Sequence, residues 1–199
     1  MSDSQVDAGK RRFLLAATGV VGGAAVAGVA IPFVGSMLPS AKARAAGAPV
    51  EVDVSKLEPG AQLTVEWRGK PVWVVRRTPE MLAELDKIAD KLSDPASAVP
   101  QQPDYCKNPT RSIKPEYLVV VGICTHLGCS PTYRADAGAA DLGGDWPGGY
   151  YCPCHGSRFD LAGRVFKNVP APVNLEVPPH RYLSDTVLLV GADAKESAA

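Results

Sequence analysis

Two short stretches decide how this chain is read: Cys124-Thr125-His126-Leu127-Gly128-Cys129 and Cys152-Pro153-Cys154-His155-Gly156-Ser157. They hold four of the five cysteines and two of the three histidines in 199 residues, a concentration that chance does not produce. Each offers a thiolate and an imidazole at short spacing, C-x-H in the first and C-x-x-H in the second. A glycine in both stretches lets the backbone turn tightly around a centre.

Three chemistries compete for this pattern. Four N/S ligands suit a tetrahedral structural zinc, but zinc modules favour paired C-x₂-C knuckles, and zinc leaves Cys129 and Cys154 unused. A framework made of disulfides alone suits an exported domain and leaves both histidines idle. A [2Fe–2S] cluster of Rieske type, with two cysteines on one iron and two histidines on the other, employs all the residues.

Outward from these stretches the chain reads as a compact, mainly β domain. With 19 Gly and 18 Pro the composition favours a loop-rich β fold over a helical bundle. Val50 to Val54 alternates apolar and polar, as do parts of Ala61–Trp67 and Lys70–Val75, with Arg68-Gly69 as the turn between the last two. Thr78-Pro79-Glu80 supplies an N-cap, a first-turn proline and an early acid. Met81, Leu82, Leu85, Ile88 and Leu92 then recur at helical spacing up to Asp94-Pro95. Tyr117–Ile123 is an apolar, β-branched run that delivers the chain into the first Cys/His stretch. Residues 134–149 read as an irregular insertion, and Arg164–Lys167, Val173–Val177 and Thr186–Val190 as later strands.

The first fifty residues are different in kind. Lys10-Arg11-Arg12 precedes Phe13-Leu14-Leu15, and no residue from Phe13 to Ala41 is charged, a run of 29 against the ~20 that cross a bilayer core as a helix. A cleavable secretory signal has an apolar region of only ~7–15 residues, so the length favours a retained anchor. Pro32 is expected to kink or end that helix. The arginine pair resembles a twin-arginine export signal, which serves proteins that fold before they cross. The Ala-rich stretch 39–49 reads as a tether. The chain has 21 Lys+Arg and 21 Asp+Glu, which excludes a basic field for nucleic acid. Residues 1–48 carry five bases and two acids and the remainder 16 bases and 19 acids, so the zero is a cancellation between a basic leader and a mildly acidic head.

On both Cys/His stretches, the twin-arginine anchor, the tether and Val169-Pro170-Ala171-Pro172, the chain resembles the Rieske iron–sulfur proteins of ubiquinol:cytochrome c reductase, the cytochrome bc1 complexes. That resemblance implies an antiparallel β-sandwich head with one helix. It divides the chain into an N-terminal segment 1–12, a transmembrane anchor 13–38, a tether 39–49 and a head 50–199 whose cluster-binding part spans about 122–172. It implies that Cys124, His126, Cys152 and His155 ligate one [2Fe–2S] cluster, and that Cys129 and Cys154 form a disulfide. His155 would take the quinol hydrogen bond and proton. Leu127 would shield the cluster, Ser157 would bond a bridging sulfide, and Pro170 would lie beside them.

The implied partners are ubiquinol, cytochrome b and a c-type cytochrome in a dimeric complex. The implied location is the bacterial inner membrane, with the N-terminus cytoplasmic and the head periplasmic. The Rieske subunit of another exported oxidoreductase, such as an arsenite oxidase, and a membrane-anchored zinc module are the alternatives. One departure stands out: Phe159 occupies a position where many members carry a tyrosine that bonds a cysteine sulfur. Outside the motifs, Cys106 reads as a free or partly buried thiol and His180 as a surface or strand-edge residue. Trp67, Trp73 and Trp146 read as packing residues. Arg111, Lys114, Arg158 and Arg164 form a possible docking face, with solvated charges as the default reading.

Overall fold

The computed structural model describes residues 7–193 and divides into two units at Ala45/Ala46. The start of the expected N-terminal segment 1–12 and the end of the expected head lie outside the described residues.

The first unit is dominated by α1 (Ala8–Ser36), capped by the Asp7 carboxylate, which accepts from the Gly9 and Lys10 N–H groups. At ~1.5 Å per residue its 29 residues exceed the ~30 Å hydrocarbon thickness, and none of them is buried. The helix is long and apolar enough to cross a membrane, where its backbone bonds would be satisfied internally. The helix does not end at Pro32. It runs on to Ser36, because a proline one turn from the C-terminus removes a single bond while Ser36 Oγ donates to Phe33 O and Met37 N to Val34 O. The short α2 (Ala41–Ala46) starts at Ser40, whose Oγ accepts from Ala43 N.

The second unit contains three antiparallel three-stranded sheets. The strands are β1 (Val50–Asp53), β2 (Gln62–Trp67), β3 (Lys70–Arg76), β4 (Tyr117–Val121), β5 (Thr132–Arg134), β6 (Gly149–Tyr151), β7 (Arg158–Phe159), β8 (His180–Tyr182) and β9 (Val187–Val190), ordered β1-β9-β8, β2-β3-β4 and β5-β6-β7. The middle sheet explains the apolar run at 117–121. Side chains alternate across a strand, so Tyr117, Val119 and Val121 face Val52, Val54 and Leu188 in one core. Leu118 and Val120 face Cys124, Cys152 and Phe159 in the other. All five are buried because both faces are covered.

Arg68 and Gly69, both at positive φ (51° and 71°), make the expected tight hairpin between β2 and β3. The expected helix is α3 (Pro79–Lys87), capped by Thr78 and followed by a 3-10 turn over Ala89–Lys91, so its apolar spacing outlasts its α geometry. Residues 164–167 pair only as isolated antiparallel bridges, Val165 with Phe159 and Phe166 with Leu92, and Phe166 N donates to Arg158 O of β7. Residues 173–177 are not a strand, and their N–H groups go elsewhere: Leu175 N to Gly163 O and Val177 N to Gln101 O.

Candidate metal centre

Each Cys/His stretch forms a loop on the same side of the second core, and the two loops share one backbone pattern. Cys124 N donates to Cys129 O (2.7 Å) and Gly128 N to Cys124 O (3.0 Å). In the other loop Cys152 N donates to Ser157 O (2.8 Å) and Gly156 N to Cys152 O (2.9 Å). Gly128 and Gly156 sit at φ 82° and 77°, the left-handed turn that closes each loop and that a side chain disfavours. The first loop is held at its entrance by Gly122, where a Cβ would collide with the Trp73 indole.

This arrangement brings all six predicted residues together. Cys124 and Cys152 are buried with their thiols against one another. Burial pushes the Cys152 thiol up, opposed by the Cys154 and His155 backbone N–H groups. A bound cation would reverse that balance and favour the thiolate. The His126 and His155 rings lie 4.8 Å apart and almost perpendicular. His126 is half-buried and His155 exposed. Cys129 and Cys154 form a disulfide between the loops, with Cα atoms 6.8 Å apart.

The disulfide sulfurs lie within 4.8 Å of Cys152 Sγ but have no thiolate to offer a metal, so the free donors are two thiols and two imidazoles. Ser157 fits a sulfide-bridged centre: its buried Oγ accepts from Ala171 N (3.1 Å), and its proton has no acceptor among the described residues. Donor chemistry and geometry therefore suit a [2Fe–2S] cluster with mixed ligands.

Leu127 stands 71% exposed at the tip of the first loop, and Pro170 is exposed on the Val169–Pro172 segment. That segment is tied to the second loop through Ala171 N and Ser157 Oγ, and the residue that follows it, Val173, is tied to the first through its O, which accepts from Thr125 Oγ1 (2.7 Å). Thr125 was not among the expected site residues. Nothing local marks it, since its partner is 48 positions away. Phe159 is fully buried in the core that contains Cys124 and Cys152.

Two expectations outside the motifs need correction. His180 is not a surface residue. It lies on edge strand β8 but is buried, its Nδ1 2.8 Å from Pro178 O, and burial holds its pKa below the ordinary histidine value. The four basic residues do not form a docking face, because Arg111 and Arg164 are buried. Cys106 is a free thiol, fully buried, and burial pushes it up to about 12, well away from thiolate reactivity. Trp67, Trp73 and Trp146 are packed in cores.

A β head whose paired Cys/His loops present this donor set defines a Rieske-type [2Fe–2S] protein, and the model of the Rieske [2Fe-2S] domain matches residues 49–179. The model described as the ubiquitinol-cytochrome C reductase Fe-S subunit TAT signal matches residues 1–40. Over 97% of this chain and 93% of the relative, the sequence is 69% identical to the ubiquinol-cytochrome c reductase iron-sulfur subunit of Allochromatium vinosum. It is 41% identical to that of Blastochloris viridis, over 96% and 97%. A solved structure of a hyperthermophilic respiratory Complex III matches 89% of this chain and 98% of its own at 26% identity and a TM-score of 0.47. The chain belongs to the family of Rieske iron–sulfur subunits of ubiquinol-cytochrome c reductase.

Proposed function

We propose that this chain is the membrane-anchored electron acceptor of a quinol:cytochrome c oxidoreductase, with Cys124 and Cys152 on one iron and His126 and His155 on the other. The observation that carries this assignment is the shared backbone pattern of the two loops, which sets two buried thiols together and two imidazoles side by side. When bound, the cluster supplies a one-electron acceptor whose potential is raised because neutral imidazoles replace two thiolates.

The chain's own residues do the rest. His155, the exposed imidazole of the pair, takes the quinol hydrogen bond and then its proton. Leu127 and Pro170 form an apolar rim that keeps water from the site and seats it against the quinol pocket of cytochrome b. Ser157, whose hydroxyl proton is free, would donate a hydrogen bond to a sulfide of the bound cluster, and the disulfide clamps the loops. Phe159 has no hydroxyl to offer a cysteine sulfur. This places the potential below that of tyrosine-bearing relatives and leaves room for menaquinol beside ubiquinol as the reductant.

In this reading 13–38 is the anchor, 39–49 the tether and 50–199 the head, with the cluster-binding part at about 122–172. The N-terminus is cytoplasmic and the head periplasmic in a bacterial inner membrane. The tether lets the head reach a c-type cytochrome subunit in a dimeric complex.

Affinity purification of the native complex with haem spectroscopy tests partner and function together: b- and c-type haem should copurify. Iron, acid-labile sulfide and EPR of the reduced protein test the site, and zinc without sulfide or signal would overturn the assignment.

A further inference from the structure

Beneath the metal centre the head buries more positive charge than it neutralises. Arg77, Arg111 and Arg164 are 2%, 0% and 3% exposed, and among the described residues one carboxylate is buried with them, Asp160 at 0%. Asp160 pairs with Arg164 (Nε to Oδ2, 2.7 Å), so two guanidinium charges have no buried counter-ion. Burial pushes Arg77 and Arg111 down to about 10, which leaves both cationic at neutral pH.

Isolated buried charges are costly, and this site adds further costs. The Arg111 backbone is held at φ 50°, a conformation that non-glycine residues rarely adopt, and its Nε has no partner. The arrangement is specific as well as costly. All three side chains converge on the turn Asp160–Arg164 that directly follows Phe159. Arg77 donates to Leu161 O (3.0 Å), Arg111 to Ala162 O (3.0 Å), and Arg164 to Asp160. Arg111 also donates to Leu175 O (2.8 Å), and its Nη1 lies where a Cβ on Gly163 would meet Leu175 and Val120. Leu175, Val120 and Phe159 belong to the core that holds Cys124 and Cys152. Backbone carbonyls satisfy most of the guanidinium N–H groups, but the field of a dipole fades with distance faster than that of a net charge. Across an apolar core the two unpaired charges persist.

We propose that this buried arginine platform raises the reduction potential of the cluster and so offsets part of what the missing hydroxyl at Phe159 takes away. The inference rests on the cluster assignment above. At a pH at which His155 keeps one protonation state in both forms, where the variants are compared, reduction adds one electron and one negative charge to the site, and fixed cations in a dry core favour that form without taking up a proton themselves. At an effective dielectric of ~20 a unit charge is worth tenfold or more in the reduction equilibrium, or 59 mV for one electron, at any separation up to about 12 Å.

The test is an EPR-monitored redox titration of the full chain in its native complex, with wild type, Arg111→Gln, Arg77→Gln, Asp160→Asn and the double variant Arg111→Gln/Asp160→Asn. Either arginine variant should make reduction about tenfold less favourable, Asp160→Asn about tenfold more favourable, and the double variant should return close to wild type. A purely structural role would not move the potential in opposite directions with the sign of the charge removed. Variants that keep their EPR signal at an unchanged potential would overturn the proposal, as would failure of all of them to assemble a cluster, which would assign the trio to folding alone. A wild-type protein without the signal would instead overturn the cluster assignment.

Discussion

The loops 124–129 and 152–157 have the same backbone and different faces. Both close through an N–H of the fifth residue onto the carbonyl of the leading cysteine, and both turn on a left-handed glycine. They diverge at the third and fourth residues, which are His126 and Leu127 in one and Cys154 and His155 in the other. Each loop is thus a frame that presents two adjacent positions outward. One loop uses them for a proposed ligand and an apolar tip, the other for the disulfide and a proposed ligand. The shift of one position leaves His155 exposed and His126 half-buried, and on the proposed assignment this difference gives only one of the two imidazoles a face for a substrate.

The largest test of this comparison removes the ligands. His126→Leu and His155→Leu should each abolish the cluster, read as loss of acid-labile sulfide and of the EPR signal; a variant that keeps both would show that its histidine is not a ligand. Conservative replacement should then separate the pair, because only at His155 should a variant that retains the cluster slow quinol oxidation more than it shifts the potential.

The clamp comes next. The Cys129–Cys154 disulfide closes a separation of 25 residues, and its removal by Cys129→Ala/Cys154→Ala should cost about 3 kcal/mol of head stability on loop entropy. Chemical denaturation followed by loss of cluster absorbance would check this, and an unchanged midpoint would show that the loops hold themselves together.

A smaller effect tests the shared frame directly. Gly128→Ala and Gly156→Ala meet no neighbouring atom within 4 Å, so each should cost about 1 kcal/mol from backbone strain alone, and by similar amounts. A several-fold larger penalty at one position would break the symmetry between the loops.

The smallest effect is Phe159→Tyr, which should raise the potential by giving a cysteine sulfur a hydrogen-bond donor. Voltammetry that shows an unchanged or lower potential would count against that role for position 159.

Much of this was legible in the residues because it is local. The C-x-H and C-x-x-H spacings, the Thr78-Pro79 cap, the Arg68-Gly69 turn and the 29 uncharged positions after Arg12 each depend on neighbours a few residues apart, and each corresponds to a feature of the structure. The failures share a different cause. Strands β5 to β8 are two or three residues long, too short to show a period of two. Residues 173–177 look like a strand but give their N–H groups to a loop carbonyl and a turn. Pro32 does not stop its helix, which had nearly finished anyway.

The sequence by itself determined the family and set out the candidate donors and the apolar N-terminal segment, because residue type at short spacing and apolar length are properties of single segments. Only the tertiary structure decided that His155 is the outer imidazole, that Thr125 and Ser157 tie Val173 and the proline segment before it to the two loops, and that Arg77, Arg111 and Arg164 are interior. Arginine is ordinarily a surface residue, and its burial requires carbonyl acceptors contributed from positions as much as 84 residues away. No local pattern records such partners, since they are brought together only when the sheets close over the core.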